Sequence, residues 1–118
     1  MNVEQIREYC LKKEGVTEEF PFDEETLVFK VIGKIFLLVS LDSLPLQFNV
    51  KCDPEVAIEL RERYESVEPG YHMNKKHWNT VIIDGFVPDK IILKWIDNSY
   101  DLVVGGLKKA DQKKLKGH

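Results

Sequence analysis

Thr26-Leu27-Val28-Phe29-Lys30-Val31-Ile32-Gly33-Lys34-Ile35-Phe36-Leu37-Leu38-Val39-Ser40-Leu41 decides the fold. Residues 26–32 are rich in β-branched and aromatic side chains, and Gly33-Lys34 is a two-residue loop with glycine first. That is the chemistry of a type II′ hairpin, so the stretch predicts two antiparallel strands. Residues 35–41 are almost continuously apolar, as a strand covered on both faces would be. After Asp42-Ser43-Leu44-Pro45, residues 46–52 alternate: Leu46, Phe48, Val50 and Cys52 face one way, Gln47, Asn49 and Lys51 the other. Three strands in a meander with one wet face follow from this pattern.

Toward the C-terminus, Asp53-Pro54 starts a helix, with a capping carboxylate and proline at the first helical position. Ala57, Leu60 and Tyr64 line one side of it, and Glu59 and Arg63 stand at ion-pair spacing. Residues 65–76 are turn-rich, residues 78–83 return to strand character, and Asp84-Gly85 closes that run. Pro88-Asp89 opens a last helix with Ile92, Trp95, Ile96, Ser99 and Val103 on one stripe, ending at Gly105-Gly106. Toward the N-terminus, Asn2 and Gln5 have the spacing of a capping box, and Val3, Ile6 and Cys10 continue a helix over residues 3–14. Residues 14–25 read as an acidic connection around Pro21. The expected architecture is α+β: an antiparallel sheet with helices packed on one face, in the order α-β-β-β-α-β-α.

A length of 118 residues fits one core, placed in residues 1–106. Residues 107–118 form a tail carrying Lys108, Lys109, Lys113, Lys114 and Lys116, expected to be flexible or to serve as an electrostatic arm. The net charge of −3 means that attraction to nucleic acid must come from a local patch. Cys10 and Cys52 fall at apolar positions without CxxC spacing and read as free thiols. No membrane-length apolar run is present, and Met1-Asn2-Val3-Glu4-Gln5-Ile6 lacks the architecture of a secretion signal. A cytoplasmic monomer is the expectation.

Lys51-Cys52-Asp53-Pro54-Glu55, the run Val67-Glu68-Pro69-Gly70-Tyr71-His72-Met73-Asn74-Lys75-Lys76-His77-Trp78-Asn79-Thr80-Val81, then Asp84-Gly85-Phe86-Val87-Pro88-Asp89 and Ser99-Tyr100-Asp101-Leu102-Val103 resemble the MmcQ/YjbR family of small bacterial proteins. The resemblance extends through Pro21-Phe22, Phe29-Lys30 and Gly33-Lys34-x-Phe36, leaving out only the lysine tail, with Ile35 where methionine is expected. It implies a fold similar to CyaY, the bacterial frataxin, and a DNA-binding role through a "double wing" arrangement.

Residues 71–78 gather the side chains that such a role would use. Lys75, Lys76 and His77 would neutralise phosphates, Tyr71 and Trp78 would stack on bases, and His72 and Asn74 would add hydrogen bonds. Lys51 and Arg61 would extend the patch. The competing reading has Tyr71, Met73 and Trp78 plugging the core, with Gly70 and Asn74 shaping a turn and His72 bonding the backbone. A second functional class follows from the frataxin-like fold: Glu18, Glu19 and Asp23, in the acidic stretch, would offer oxygen donors to iron or to a protein partner. A third is a small phosphorylated ligand held by the His-Trp loop. His72 and His77, five residues apart, do not share a face, so no metal site or other cofactor is expected. No nucleophile elbow, phosphate-cradling loop or paired-carboxylate motif marks an enzyme.

Overall fold

Asn2 caps α1 (Val3–Leu11): its side-chain oxygen accepts from the Gln5 amide, and Gln5 accepts from the Asn2 amide, both at 2.9 Å. Asp53 caps α2 (Pro54–Arg63) in the same way, accepting from the Glu55 and Val56 amides with proline at the helix start. These local signals operate as read. The computed structural model describes residues 1–70 and 73–116. Its remaining elements are β1 (Val16–Glu19), β2 (Thr26–Val31), β3 (Lys34–Ser40), β4 (Gln47–Lys51), β5 (Val67–Pro69), β6 (Trp78–Ile82), α3 (Asp89–Gly105) and α4 (Lys109–Lys116). The strands form one antiparallel sheet in the order β1-β2-β3-β4-β6-β5. The α+β architecture is the expected one, with two more strands and one more helix.

Strand period and register sort the side chains onto two faces. Phe29 stands opposite Leu37, Leu37 opposite Val50, Val39 opposite Phe48, and Phe48 opposite Val81. These residues, with Ile6 and Cys10 of α1 and Ile92, Trp95, Ile96 and Val103 of α3, make the main core. Burying aromatic side chains such as Phe29, Phe36 and Phe48 completely contributes roughly 1.5–3 kcal/mol each. Burial also pushes the Cys10 thiol up to about 12, so it behaves as a packing group.

Where the β3–β4 ladder stops, α3 completes it. The register slips between Phe29 and Lys30, leaving Phe36 as the extra residue of a bulge. The fully buried Ser99 hydroxyl donates to the Phe36 carbonyl at 2.5 Å and accepts from the Lys51 amide at 2.8 Å. One side chain thus satisfies two backbone groups that the ladder leaves unpaired.

Four details differ from expectation. The hairpin loop is Ile32-Gly33, not Gly33-Lys34, and both residues have positive φ, 46° and 80°, the type I′ pattern. The presumed acidic connection contains β1, whose Glu18 pairs with Arg7 of α1 and whose Glu19 pairs with Lys30 of β2. Val67–Pro69 adds β5 at the opposite edge, where proline's missing donor costs nothing. The lysine tail is not separate from the domain: Lys109–Lys116 is helical, Leu107 is buried, and Leu115 packs against the core. Among the described residues, no helix is long and apolar enough to cross a membrane.

The Ser99 bridge is directly testable. Ser99→Ala orphans the Phe36 carbonyl and Lys51 amide, so stability falls by about 1–3 kcal/mol. Urea unfolding measures it, with an unchanged denaturant slope expected.

Candidate functional site

Helices cover one face of the sheet; on the other stand Thr26, Val28, Leu38, Ser40, Gln47, Asn49, Lys51, Trp78 and Thr80. Part of this second face is closed by a small cluster of Val28, Leu38 and Trp78, with Ile35 and Met73 against it. Trp78 is only 8% exposed. Its ring is therefore packing, not the stacking platform expected for a base.

Arg61 is engaged within the protein as well. It reaches from α2 to Asn79 Oδ1 at 2.7 Å, to the Trp78 carbonyl at 3.2 Å, and to the Lys75 carbonyl. The guanidinium fork clamps the turn before β6 onto the end of α2. Asn74 shapes the same turn: its side-chain oxygen accepts from the Lys76 amide, and its carbonyl accepts from the His77 and Trp78 amides. The Cys52 amide donates to the His77 carbonyl at 2.7 Å, tying the turn to the end of β4. Tyr71 and His72, both expected in the site, lie outside the described residues.

What the fold does bring together is charge. Lys34 opens β3, Lys51 ends β4 opposite Trp78, and Lys75, Lys76 and His77 precede β6, so all lie at one end of the sheet. Lys75 and Lys76 are exposed and His77 is half-buried. Helix α4, with Lys109, Lys113 and Lys114, joins this end, because Leu115 sits beneath the hairpin. A Cβ added to Gly15 would fall 2.6 Å from Leu115 and 2.9 Å from Ile32. The other end is acidic: Asp23 and Glu25 precede β2, Asp42 follows β3, and Asp84 follows β6.

The metal-binding trio does not assemble. Glu18 and Glu19 are adjacent on β1 and point to opposite faces, toward Arg7 and Lys30. Arg7 holds the Glu18 carboxyl below its usual range. Asp23 spends Oδ1 on the Glu25 and Thr26 amides. Among the described residues, no group of three metal-ligating side chains converges.

Between the acidic loops and Met73 the uncovered face sinks into a trough of about 590 Å³. Phe22 and Leu38 supply apolar wall, Asn49 and Thr80 lie in its floor, and Glu25 and Asp42 stand at its rim. The Thr80 hydroxyl donates to Asn49 Oδ1 at 2.6 Å. Asp42 shares a hydrogen bond with the Glu25 carboxyl and repels it, which pushes Glu25 above the usual carboxylate range. No single sequence run marks this trough, since seven loop and strand segments contribute to it.

Architecture and exposed features together define a small α+β domain with a one-sided helical layer, a charge-polarised sheet and an open face. The chain belongs to the YjbR family, whose model it matches over residues 11–102. It is 43% identical to the uncharacterized protein YbdF of Escherichia coli O157:H7 over 98 residues, 82% of this chain and 80% of that one. It is 32% identical to the uncharacterized protein YjbR of Escherichia coli K12 over 115 residues, 98% of each chain. The crystal structure of Deinococcus radiodurans protein DR2400 is similar with a TM-score of 0.91 at 42% identity, covering 98% of this chain and 88% of that one. A Pseudomonas syringae protein structure gives 0.74 at 28% identity, covering 86% and 98%.

Two outcomes follow. Arg61→Ala releases a charge-assisted clamp and lowers stability by about 1.5–3 kcal/mol, with faster amide exchange at His77 and Trp78; Arg61→Lys does not restore it. Glu25 has a raised folded-state pKa, so its contribution is fully present below its unfolded value, near 4.5, and is lost as pH rises through the folded value. Glu25→Gln therefore raises the urea midpoint at pH 7, and the gain disappears on acidification below that value.

Proposed function

We propose that this chain is a nucleic-acid-binding module that contacts the phosphate backbone with the basic end of its sheet. The observation that carries the reading is the segregation of charge in a chain whose net charge is −3. Lys34, Lys51, Lys75 and Lys76 share one end with the lysines of α4, and the carboxylates of Asp23, Glu25, Asp42 and Asp84 stand at the other. A polyanion is steered by the local field and not by the total charge, so one end attracts DNA while the other orients the approach. With Trp78 packed and Arg61 committed to the turn, phosphate contacts outweigh base contacts, and little sequence preference is expected.

Fluorescence anisotropy of a labelled duplex tests this. Affinity falls with rising salt at a slope of about −0.9 per phosphate neutralised, so three or four engaged lysines give a slope near −3. Lys51→Glu with Lys76→Glu weakens binding by at least about tenfold at unchanged melting temperature. Asp42→Lys at the far end does not weaken it. Absence of binding to duplex and single strands at low salt ends the reading.

A further inference from the structure

Helix α4 turns one side to the domain and its lysines to solvent. Asp111, Gln112 and Leu115 are half-buried, while Lys109, Lys113 and Lys114 are exposed. Leu115 sits directly over Gly15. A Cβ on that glycine would fall 2.6 Å from Leu115 Cδ2 and 2.9 Å from Ile32 Cδ1, so the seat exists because residue 15 has no side chain. Where α3 stops, Leu107 is buried, and Gln112 Nε2 donates to the Leu107 carbonyl at 2.9 Å and to the Gly105 carbonyl at 3.4 Å. A side chain of α4 thus serves carbonyls left over at the end of the preceding helix.

These contacts hold a helix that would not persist alone. Its eight residues are too few for stable helicity in water. Charge works against it too. Lys109 and Lys113, one turn apart, repel, and Lys108 and Lys109 stand at the N-terminal end, where the helix dipole disfavours positive charge. Asp111 offsets part of this through a 3.4 Å ion pair with Lys114. A ligand that neutralises these lysines therefore favours the seated helix, and by linkage the seated helix favours the ligand.

We propose that seating of α4 and binding of a nucleic-acid backbone are coupled, with Leu115, in the notch made by Gly15 and Ile32, as the positioning residue that sets Lys109 and Lys113 on the basic end. This rests on the nucleic-acid reading above and adds a control to it: the helix is an ordered part of the contact, and its seat governs the affinity. A loose lysine tail would contribute the same charge wherever Leu115 stood.

The test is Leu115→Ala in the full chain, a variant that keeps every lysine and the net charge. Backbone ¹³Cα shifts of residues 109–116 report the helix, and fluorescence anisotropy with a labelled duplex reports affinity and its salt slope. In the wild type the duplex is expected to slow amide exchange along α4 by about fivefold or more. Leu115→Ala moves the α4 shifts toward coil values while the β3 and β4 amide resonances stay in place. It weakens duplex binding at least about threefold and flattens the salt slope by about one to two units, the amount expected when the lysines of α4 let go of their phosphates. Lys109→Gln with Lys113→Gln has the same effect on affinity and slope, and adding Leu115→Ala to that pair changes little further. Leu115→Met, which conserves volume, restores wild-type binding, and Gly15→Ala, which fills the notch from the other side, repeats the loss. A Leu115→Ala chain that binds the duplex as the wild type does, or that keeps α4 helical, overturns the proposal and leaves the nucleic-acid reading standing. A wild-type chain that binds no duplex at low salt overturns both.

Discussion

A six-stranded sheet has two faces, and the helices of this chain cover only one. Everything else in the molecule answers to that constraint. The covered face takes Phe29, Leu37, Val39, Phe48, Val50 and Val81 against α1 and α3. On the other face Val28, Leu38 and Trp78 would expose apolar surface to water, and they are closed by Ile35 and by Met73 from the turn before β6. Arg61 holds that turn in place by bonding two of its carbonyls and Asn79. The part of the face that no loop covers is the trough, and its polar floor of Asn49 and Thr80 suits a surface that meets solvent.

Antiparallel pairing then sorts the charges. Alternate hairpin ends fall at opposite ends of the sheet, so residues before β3 and after β4 meet those before β6, while residues before β2 meet those after β3 and β6. Lysines predominate in the first set, with Asp53 among them after β4, and carboxylates occupy the second. The segregation is a consequence of strand order, and a chain with the same composition in another register would not have it. Docking of Leu115 under the Ile32-Gly33 turn adds α4 to the basic end.

Elements with local signals were legible in the sequence. Asn2 and Gln5, Asp53-Pro54, and the alternation through Leu46, Phe48 and Val50 each act over a few residues, and each is present in the fold. Elements held by distant partners were not. Val16–Glu19 has too little apolar content to announce a strand; it is held in the ladder by β2, with its two glutamates paired to Arg7 and Lys30. Helix α4 is mostly lysine and polar residues, and Leu115 is its anchor. For the site, Lys51, Lys75 and Lys76 were recognisable as candidates because strand parity and a turn fixed their placement. Arg61 and Trp78 read as ligand groups because their types are common in nucleic-acid sites, yet tertiary contacts commit both to structure. The trough had no sequence signal, since its carboxyl pair is assembled from residues 17 positions apart across a ladder end.

The proposed nucleic-acid contact lies at the lysine-bearing end of this polarised sheet. Chemical-shift mapping of the labelled chain with a short DNA duplex at low salt locates the contact surface residue by residue. Perturbations are expected at Lys34, Lys51, Lys75, Lys76 and along α4, with Asp23, Glu25 and Asp42 unmoved. Perturbations centred on the carboxylate end, or a spectrum unchanged by DNA, would contradict it.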